Sequence, residues 1–261
     1  MVASAASGDA APRVIAPPAR AWSRGEVLEW LRSLATTAER ALIGMDFSFA
    51  PPIARRDSYL PGTSAPTTAR AFWAYVDAGC PADADLGAAG FLQAHRAHFW
   101  MGAADGRKAD YLHWRACEHA FNASGGGKAS TVYDCVGAAQ VAKASFAGMR
   151  LLHHLGAAIP VWPFDPLPMH GPVLVEIYAR AFLRRAGGRG LKLRDRATLD
   201  AALAALGSRP WEGAEPLTDH LTDAVVTAAG LRALAHHPAA WAPAGLTPEI
   251  ARTEGWTFGV A

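Results

Sequence analysis

Three acidic residues stand where their side chains could perform chemistry. Asp46 follows the apolar run Leu42-Ile43-Gly44-Met45, so it should lie at the C-terminal end of a buried strand. Open α/β sheets bind their ligands just beyond those ends. Glu176 lies inside the apolar segment VLVEIY, where a carboxylate is costly unless it is paired, protonated or bound to a metal. Asp223 directly precedes the buried face of a predicted helix.

Each acid also has a structural interpretation, and the alternatives stay open. Asp46 could cap the next turn or pair with an arginine, and Glu176 could face water from an edge strand. Asp219 and Asp223 lie one turn apart at the start of a helix, where the helix dipole favours acids in any case. Asp219 could serve only as a cap, so Asp223 is the stronger functional candidate of the two.

If these acids converge at one edge of the sheet, they predict a site for a hard cation. Mg²⁺ and Mn²⁺ prefer carboxylate oxygens. A pair of such ions about 3.5–4 Å apart activates water and stabilises the leaving oxygen in phosphodiester cleavage. Asp46, Glu176, Asp219 and Asp223 are then the predicted metal ligands. Lys128 and Arg180 could neutralise the phosphate charge.

The elements that must position these residues alternate between strands and helices. Apolar runs predict buried strands at 41–49 and 173–178. A capping box formed by Ser23 and Glu26 begins a helix that should end near Glu39. Helical spacing predicts further helices at 138–155, 196–206 and 218–236, and the C-terminal EGWTFGV predicts a last strand or a covering loop. This alternation indicates an α/β fold with a mainly parallel sheet.

The chain of 261 residues suits one large domain. Residues 1–12 are small and polar and predict a disordered tail, whereas 13–261 form the domain. Within it, residues 68–122 are rich in aromatics and predict a helical insertion after the Asp46 strand. Packing between helices is the preferred role of those aromatics, and stacking on nucleic-acid bases is the alternative.

Composition excludes several classes of protein. Apolar residues make up 51% and charged residues 18%, which argues against general disorder. The net charge of only +2 provides no broad basic surface for nucleic acid. There is neither an apolar run of membrane-spanning length nor a secretory signal. Cys80, Cys117 and Cys135 have no zinc-type spacing, so we expect a cytoplasmic protein without disulfides.

Several segments, in order along residues 20–261, resemble the bacterial domain-of-unknown-function family 429, which is similar to the ribonuclease H-like superfamily. They are GMDFSFAPP, VGAAQVAKASFAGM, VWPFD, VLVEIYARAFL, HLTDAVVTAAGLRAL and EGWTFGV. The resemblance implies a ribonuclease H-like mixed sheet flanked by helices. In its terms, Asp46 resembles the acid of the fourth strand, Glu176 that of the following core strand, and Asp223 the aspartate of the last helix.

Members of that family open with an acid-bearing strand of the pattern G-[IV]-D-[FW]-S, and no such strand is expected ahead of the Asp46 segment. The resemblance implies a metal-dependent nuclease or phosphodiesterase, inactive if that strand is missing. The alternative is a non-catalytic protein that binds nucleic acid or a nucleotide in the same cleft. An enzyme acting on a small phosphorylated metabolite is a third interpretation. The sequence does not specify the substrate, the metal or the oligomeric state.

Overall fold

The computed structural model describes residues 1–37, 39–53, 56–137, 140–188 and 192–261, and these form a mixed α/β fold. The strands are β1 (Val2–Ser4), β2 (Arg13–Ile15), β3 (Leu42–Met45), β4 (Val161–Trp162) and β5 (Val173–Glu176). The longer helices are α1 (Arg24–Ala35), α2 (Ala69–Ala78), α5 (Ala142–Leu155), α7 (Arg196–Ala205) and α8 (Asp219–Leu234). The shorter helices are α3 (Ala89–Ala94), α4 (Ala116–Phe121), α6 (Ala179–Arg185), α9 (Pro238–Trp241) and α10 (Pro248–Arg252).

A three-stranded parallel sheet lies at the centre of the fold. Its order is β3-β5-β4, so β5 is the middle strand. Met45 is opposite Glu176 in the register, which places the ends of β3 and β5 side by side. The predicted strands at 41–49 and 173–178 are thus confirmed, although each is shorter than its apolar run. Val161 and Trp162 add the two-residue β4 to the far side of β5.

The two faces of this sheet contact different hydrophobic cores. Leu174 and Val161 pack with α1, α2 and α5 in one core. Val173, Val175 and Ile177 pack with α6, α7 and α8 in the other. Because side chains alternate between the faces of a strand, neighbouring residues of β5 enter different cores. The sheet is therefore covered by helices on both sides, as its apolar strands require.

Close packing at Gly44 brings α8 against β3. A Cβ on Gly44 would lie 2.7 Å from Leu231 Cδ1 and 2.8 Å from Ile177 Cγ2. Only glycine therefore fits at this point of the strand. The contact fixes α8, and with it Asp223, relative to the strand that Asp46 follows.

The helix boundaries follow local signals in the sequence. Ser23 and Glu26 form the predicted capping box of α1, which ends at Ala35 rather than near Glu39. Thr218 caps α8, because its hydroxyl accepts a hydrogen bond from the Leu221 amide. Helix α5 begins at Ala142, later than predicted, and residues 138–139 lie outside the described residues.

The aromatic insertion is less helical than expected. Residues 68–122 contain α2, α3 and α4, with three short 3-10 turns between α3 and α4. The preferred role of its aromatics is confirmed, because Phe72, Trp73, Phe91 and Phe99 are buried in the α1–α2–α5 core. Five glycines, at 79, 87, 90, 102 and 106, lower the helix propensity of this segment.

Both ends of the chain pack against the rest of the fold. The expected disordered tail contains β1, which pairs antiparallel with β2, and Ala3 and Val14 pack against the α6–α8 core. At the other end, Thr257 forms a parallel bridge with Glu176, and Trp256 and Phe258 are buried. EGWTFGV is therefore a covering segment that ends against the central strand.

No helix in the described ranges is both long and apolar enough to cross a membrane. Cys80, Cys117 and Cys135 are buried and are free thiols.

Candidate functional site

The carboxylate of Glu176 lies at the centre of a buried hydrogen-bond network. Arg115 donates to it through both terminal nitrogens, with Nη1–Oε2 2.7 Å and Nη2–Oε1 2.5 Å. The Phe49 amide donates to Oε2 at 2.7 Å, and the Thr257 hydroxyl donates to Oε1 at 2.7 Å. Each carboxylate oxygen thus accepts two hydrogen bonds, which satisfies the buried charge.

Arg115 joins this network to other parts of the chain. Its Nε donates to Glu118 Oε1 at 3.0 Å, and its Nη2 donates to the Ser48 hydroxyl at 3.3 Å. Glu254 accepts hydrogen bonds from the Ile53 and Ala116 amides. The network therefore fixes the loop after β3, the start of α4 and the C-terminal covering segment around the end of β5.

This geometry gives Glu176 a positioning role at the edge of the site. Its oxygens are occupied by four donors, and the Arg115 guanidinium would repel a cation placed against them. The predicted edge-strand alternative is wrong, because Glu176 is buried on the middle strand. The expectation that this acid needs a partner is met by Arg115.

Asp46 lies just past β3, and no described residue forms a hydrogen bond or ion pair with its carboxylate. Its side chain remains accessible to solvent, yet burial by the surrounding protein is the main reason that its pKa rises from 3.8 to about 6. The charges of Asp223 and Glu176 raise the pKa further.

Asp223 lies in the second turn of α8 and is partly buried. Burial and the charge of Asp219 raise its pKa, whereas Lys192 and His220 lower it. Asp219 itself forms ion pairs with Lys192 and Arg194, and the hydrogen bond from Lys192 lowers its pKa. Asp219 is therefore already neutralised by basic side chains, unlike Asp46.

The structure thus brings Asp46, Asp223 and Glu176 close enough for their charges to interact, and it leaves Asp219 at the rim. Among the residues that the structure describes, no group of three or more His, Cys, Asp or Glu side chains is arranged to hold a metal ion. The acids left for a cation are the pair Asp46 and Asp223, with water and substrate as further ligands. Such a set fits Mg²⁺, which protein sites often bind through one or two carboxylates.

The two predicted phosphate-binding residues lie on a different part of the same sheet edge. Arg180 is in the first turn of α6, which follows β5, and its guanidinium lies against Gly127. Lys128 is the next residue and is exposed. The groups that shift the pKa of Asp46 and Asp223 are other described residues, so the charges of Arg180 and Lys128 do not act noticeably on these two acids.

Several positioning residues escaped the sequence analysis. Arg115, Glu118, Glu254 and Thr257 belong to the network around Glu176, and no local spacing connects any of them with Glu176 itself. A usable signal was the Arg-x-x-Glu spacing of residues 115–118 at the start of a helix. Ser145, which had no predicted role, accepts a hydrogen bond from the Ser48 amide at 3.1 Å and so positions the loop after Asp46.

The fold and site together define an α/β protein with one acid just past a strand of its parallel sheet and a second, on α8, whose charge acts on the first. Comparison with protein-family models, with curated proteins and with solved structures finds no match to this chain.

Proposed function

We propose that the chain is a divalent-cation-dependent phosphodiesterase or nuclease whose cation is held by Asp46 and Asp223. The observation that supports this most directly is the position of Asp46 just past the C-terminal end of β3, where ligands of open α/β sheets bind, with a carboxylate that no described residue pairs. The charge of Asp223 raises the pKa of Asp46, so the two carboxylates lie within range of each other. Acids with pKa values raised in this way are typical of catalytic or cation-binding positions.

A bound Mg²⁺ or Mn²⁺ would supply a Lewis acid for the phosphoryl oxygens and lower the pKa of water. The chain's own residues have distinct tasks around it. Asp46 and Asp223 bind the cation as carboxylates, which requires both to be deprotonated. Glu176 and Arg115 position the Ser48–Phe49 loop, which follows Asp46.

A ribonuclease H-like fold is the finer assignment that we propose. Support comes from the parallel sheet covered by helices on both faces and from the acid after its first strand. The segment Gly44–Ser48 itself differs from the pattern G-[IV]-D-[FW]-S only at Met45. We therefore propose that Asp46 corresponds to the first acid of the resembled family rather than to the acid of its fourth strand.

Calorimetric titration with Mn²⁺ at a pH well above 6, where Asp46 is ionised, tests the cation site. We expect binding that is lost in Asp46→Asn and Asp223→Asn, together with Mn²⁺-dependent cleavage of short DNA or RNA that is lost in the same variants. Asp219→Asn is the matched control, since this acid is already paired with Lys192. Equal Mn²⁺ binding by the wild type and Asp46→Asn would refute the assignment.

A second candidate function is binding of a nucleotide or nucleic acid without turnover. The observation that favours it is the occupation of Glu176 by Arg115, which removes one acid from a two-ion site. This function predicts oligonucleotide binding that persists in Asp46→Asn and no cleavage with any divalent ion. The same titrations and cleavage assays therefore separate the two candidates.

A further inference from the structure

Arg180 has a partly buried side chain without an acceptor. Its Nε is enclosed, and no described residue forms a hydrogen bond or ion pair with its guanidinium. A buried donor that lacks a partner loses the hydrogen bond it would make to water, so most such groups are satisfied by protein, water or a bound ion. The carboxylate pair does not fill this role, because Arg180 does not contribute to the pKa of either acid.

The backbone next to Arg180 is shaped to admit its guanidinium. Gly127 has φ +97°, and a Cβ there would lie 3.1 Å from Arg180 Nη2 and 3.3 Å from Cζ. Glycine thus allows the planar group to lie directly against the main chain. Any other residue at 127 would strain the backbone and displace the arginine.

A second arginine holds the glycine turn in place. Arg184, one turn later on α6, donates from Nη2 to the Ser124 carbonyl at 3.1 Å, and its guanidinium lies 5.4 Å from the Phe121 ring centroid. Exposed Lys128 follows the turn. No ion pair between an acid and Arg180, Arg184 or Lys128 occurs within the described ranges, so the region carries uncompensated positive charge.

We propose that Arg180, the turn at Gly125 and Gly127, and Lys128 form a binding site for a phosphate group. A guanidinium presents its donors in a planar fork that matches two phosphate oxygens, and an ammonium adds a point charge. The proposed function is needed only for the further step of identifying the bound phosphate as part of the substrate. The site itself is separate from the carboxylate pair and needs no divalent ion.

Calorimetric titration of the full chain in the presence of EDTA tests this site, with inorganic phosphate, adenosine monophosphate and a dinucleoside monophosphate as probes. We expect at least one to bind, and Arg180→Gln to weaken binding by about tenfold or more, as loss of a charge-assisted pair implies. Arg180→Lys should recover only part of the affinity. Binding of the dinucleoside monophosphate would identify a backbone phosphodiester as the ligand. Binding of inorganic phosphate and adenosine monophosphate without the dinucleoside monophosphate would identify a terminal phosphate.

Two variants control for charge and folding. Arg185→Gln removes the same charge from an exposed position of α6 and should leave affinity unchanged. Gly127→Ala keeps every charge but displaces the guanidinium, so it should weaken binding as Arg180→Gln does. No binding by any probe, or equal affinity in the wild type and both site variants, would overturn the proposal.

The outcome is distinguishable from failure of the proposed function. Phosphate binding in EDTA should persist in Asp46→Asn, so a chain without metal-dependent cleavage would still show the Arg180 site. Conversely, cleavage that is unaffected by Arg180→Gln would leave the carboxylate pair intact as an active site and would refute only the assignment of the substrate's phosphate to the Arg180 site.

Discussion

At the residue scale, Asp46 and Glu176 show how two acids at neighbouring positions of one sheet edge acquire different roles. Glu176 is ionically paired with Arg115 and accepts further hydrogen bonds, so its charge is satisfied inside the protein. Asp46 has no such partner among the described residues, and its pKa is raised to about 6. Glu176 therefore stabilises the fold, whereas Asp46 is available to a ligand.

The raised pKa of Asp46 predicts a pH-dependent change in stability. Between about pH 4 and pH 6 the folded chain holds a proton that the unfolded chain has lost, so the free energy of unfolding falls as pH rises. Because the side chain is accessible to solvent, we expect a fall of only about 1 kcal/mol. Urea unfolding on both sides of this range should show it in the wild type but not in Asp46→Asn. A variant with the same pH dependence as the wild type would contradict the assignment.

Removal of the Glu176 charge should affect stability directly. Glu176→Gln removes one of two carboxylates that pair with the buried Arg115 guanidinium and leaves Glu118 as the other, and we expect a loss of about 3 kcal/mol in the free energy of unfolding. Chemical denaturation monitored by tryptophan fluorescence measures this change. Glu29→Gln, whose side chain is exposed and paired with Arg32, is the control and should change stability by less than about 0.5 kcal/mol. Comparable losses in both variants would mean that the buried pair contributes no special stability.

At the element scale, the contact between β3 and α8 determines whether Asp46 and Asp223 face each other. Gly44 allows this contact because Leu231 and Ile177 occupy the space of its missing side chain. The sheet edge supplies one acid and the helix supplies the other. The site is therefore sensitive to how closely these two elements pack.

Gly44→Ala should separate these elements. The added methyl group would lie 2.7 Å from Leu231 Cδ1, so α8 must shift, with a cost of about 1–3 kcal/mol. We expect weaker Mn²⁺ binding together with a lower melting temperature. Gly25→Ala is the matched control, since its nearest neighbour would be 3.7 Å away and it lies in α1. Unchanged melting in Gly44→Ala would show that α8 can repack without strain.

The sequence predicted elements more successfully than contacts between them. The strands β3 and β5 were predictable because their apolar runs need burial on both faces, and α1 because its capping box is a local signal. Two-residue β4 has too few side chains to show a period. The acid in VLVEIY indicated that Glu176 needs a partner, but nothing local could identify Arg115, which lies 61 residues away.

At the scale of the whole molecule, the three free cysteines report on the integrity of both cores. Cys80 and Cys135 belong to the core around α1, α2 and α5, and Cys117 belongs to the core around α6 and α8. Burial raises the pKa of all three thiols, to about 12 for Cys117 and about 11 for Cys135. The native protein therefore protects its thiols in two ways: burial keeps reagents away from the sulfur atoms, and the raised pKa keeps the thiols protonated.

Thiol titration with a chromogenic disulfide reagent should show this protection. We expect negligible reaction in the native chain and reaction of all three thiols after unfolding in urea. The rate under native conditions should follow the rate of opening of the cores, and a Glu176→Gln variant should react faster. A thiol that reacts immediately in the native wild type would contradict the burial of these residues.

The network around Glu176 also has a consequence for how the chain folds. Its hydrogen bonds join residues that are far apart along the chain: 61 residues for Arg115 and Glu176, 127 for Phe49 and Glu176, and 201 for Ile53 and Glu254. Contacts of such long range close large loops and form late in folding. Substitutions in the network should therefore accelerate unfolding much more than they slow folding. The end of β5 around Glu176 would then be one of the last parts of the protein to assemble and among the first to unfold.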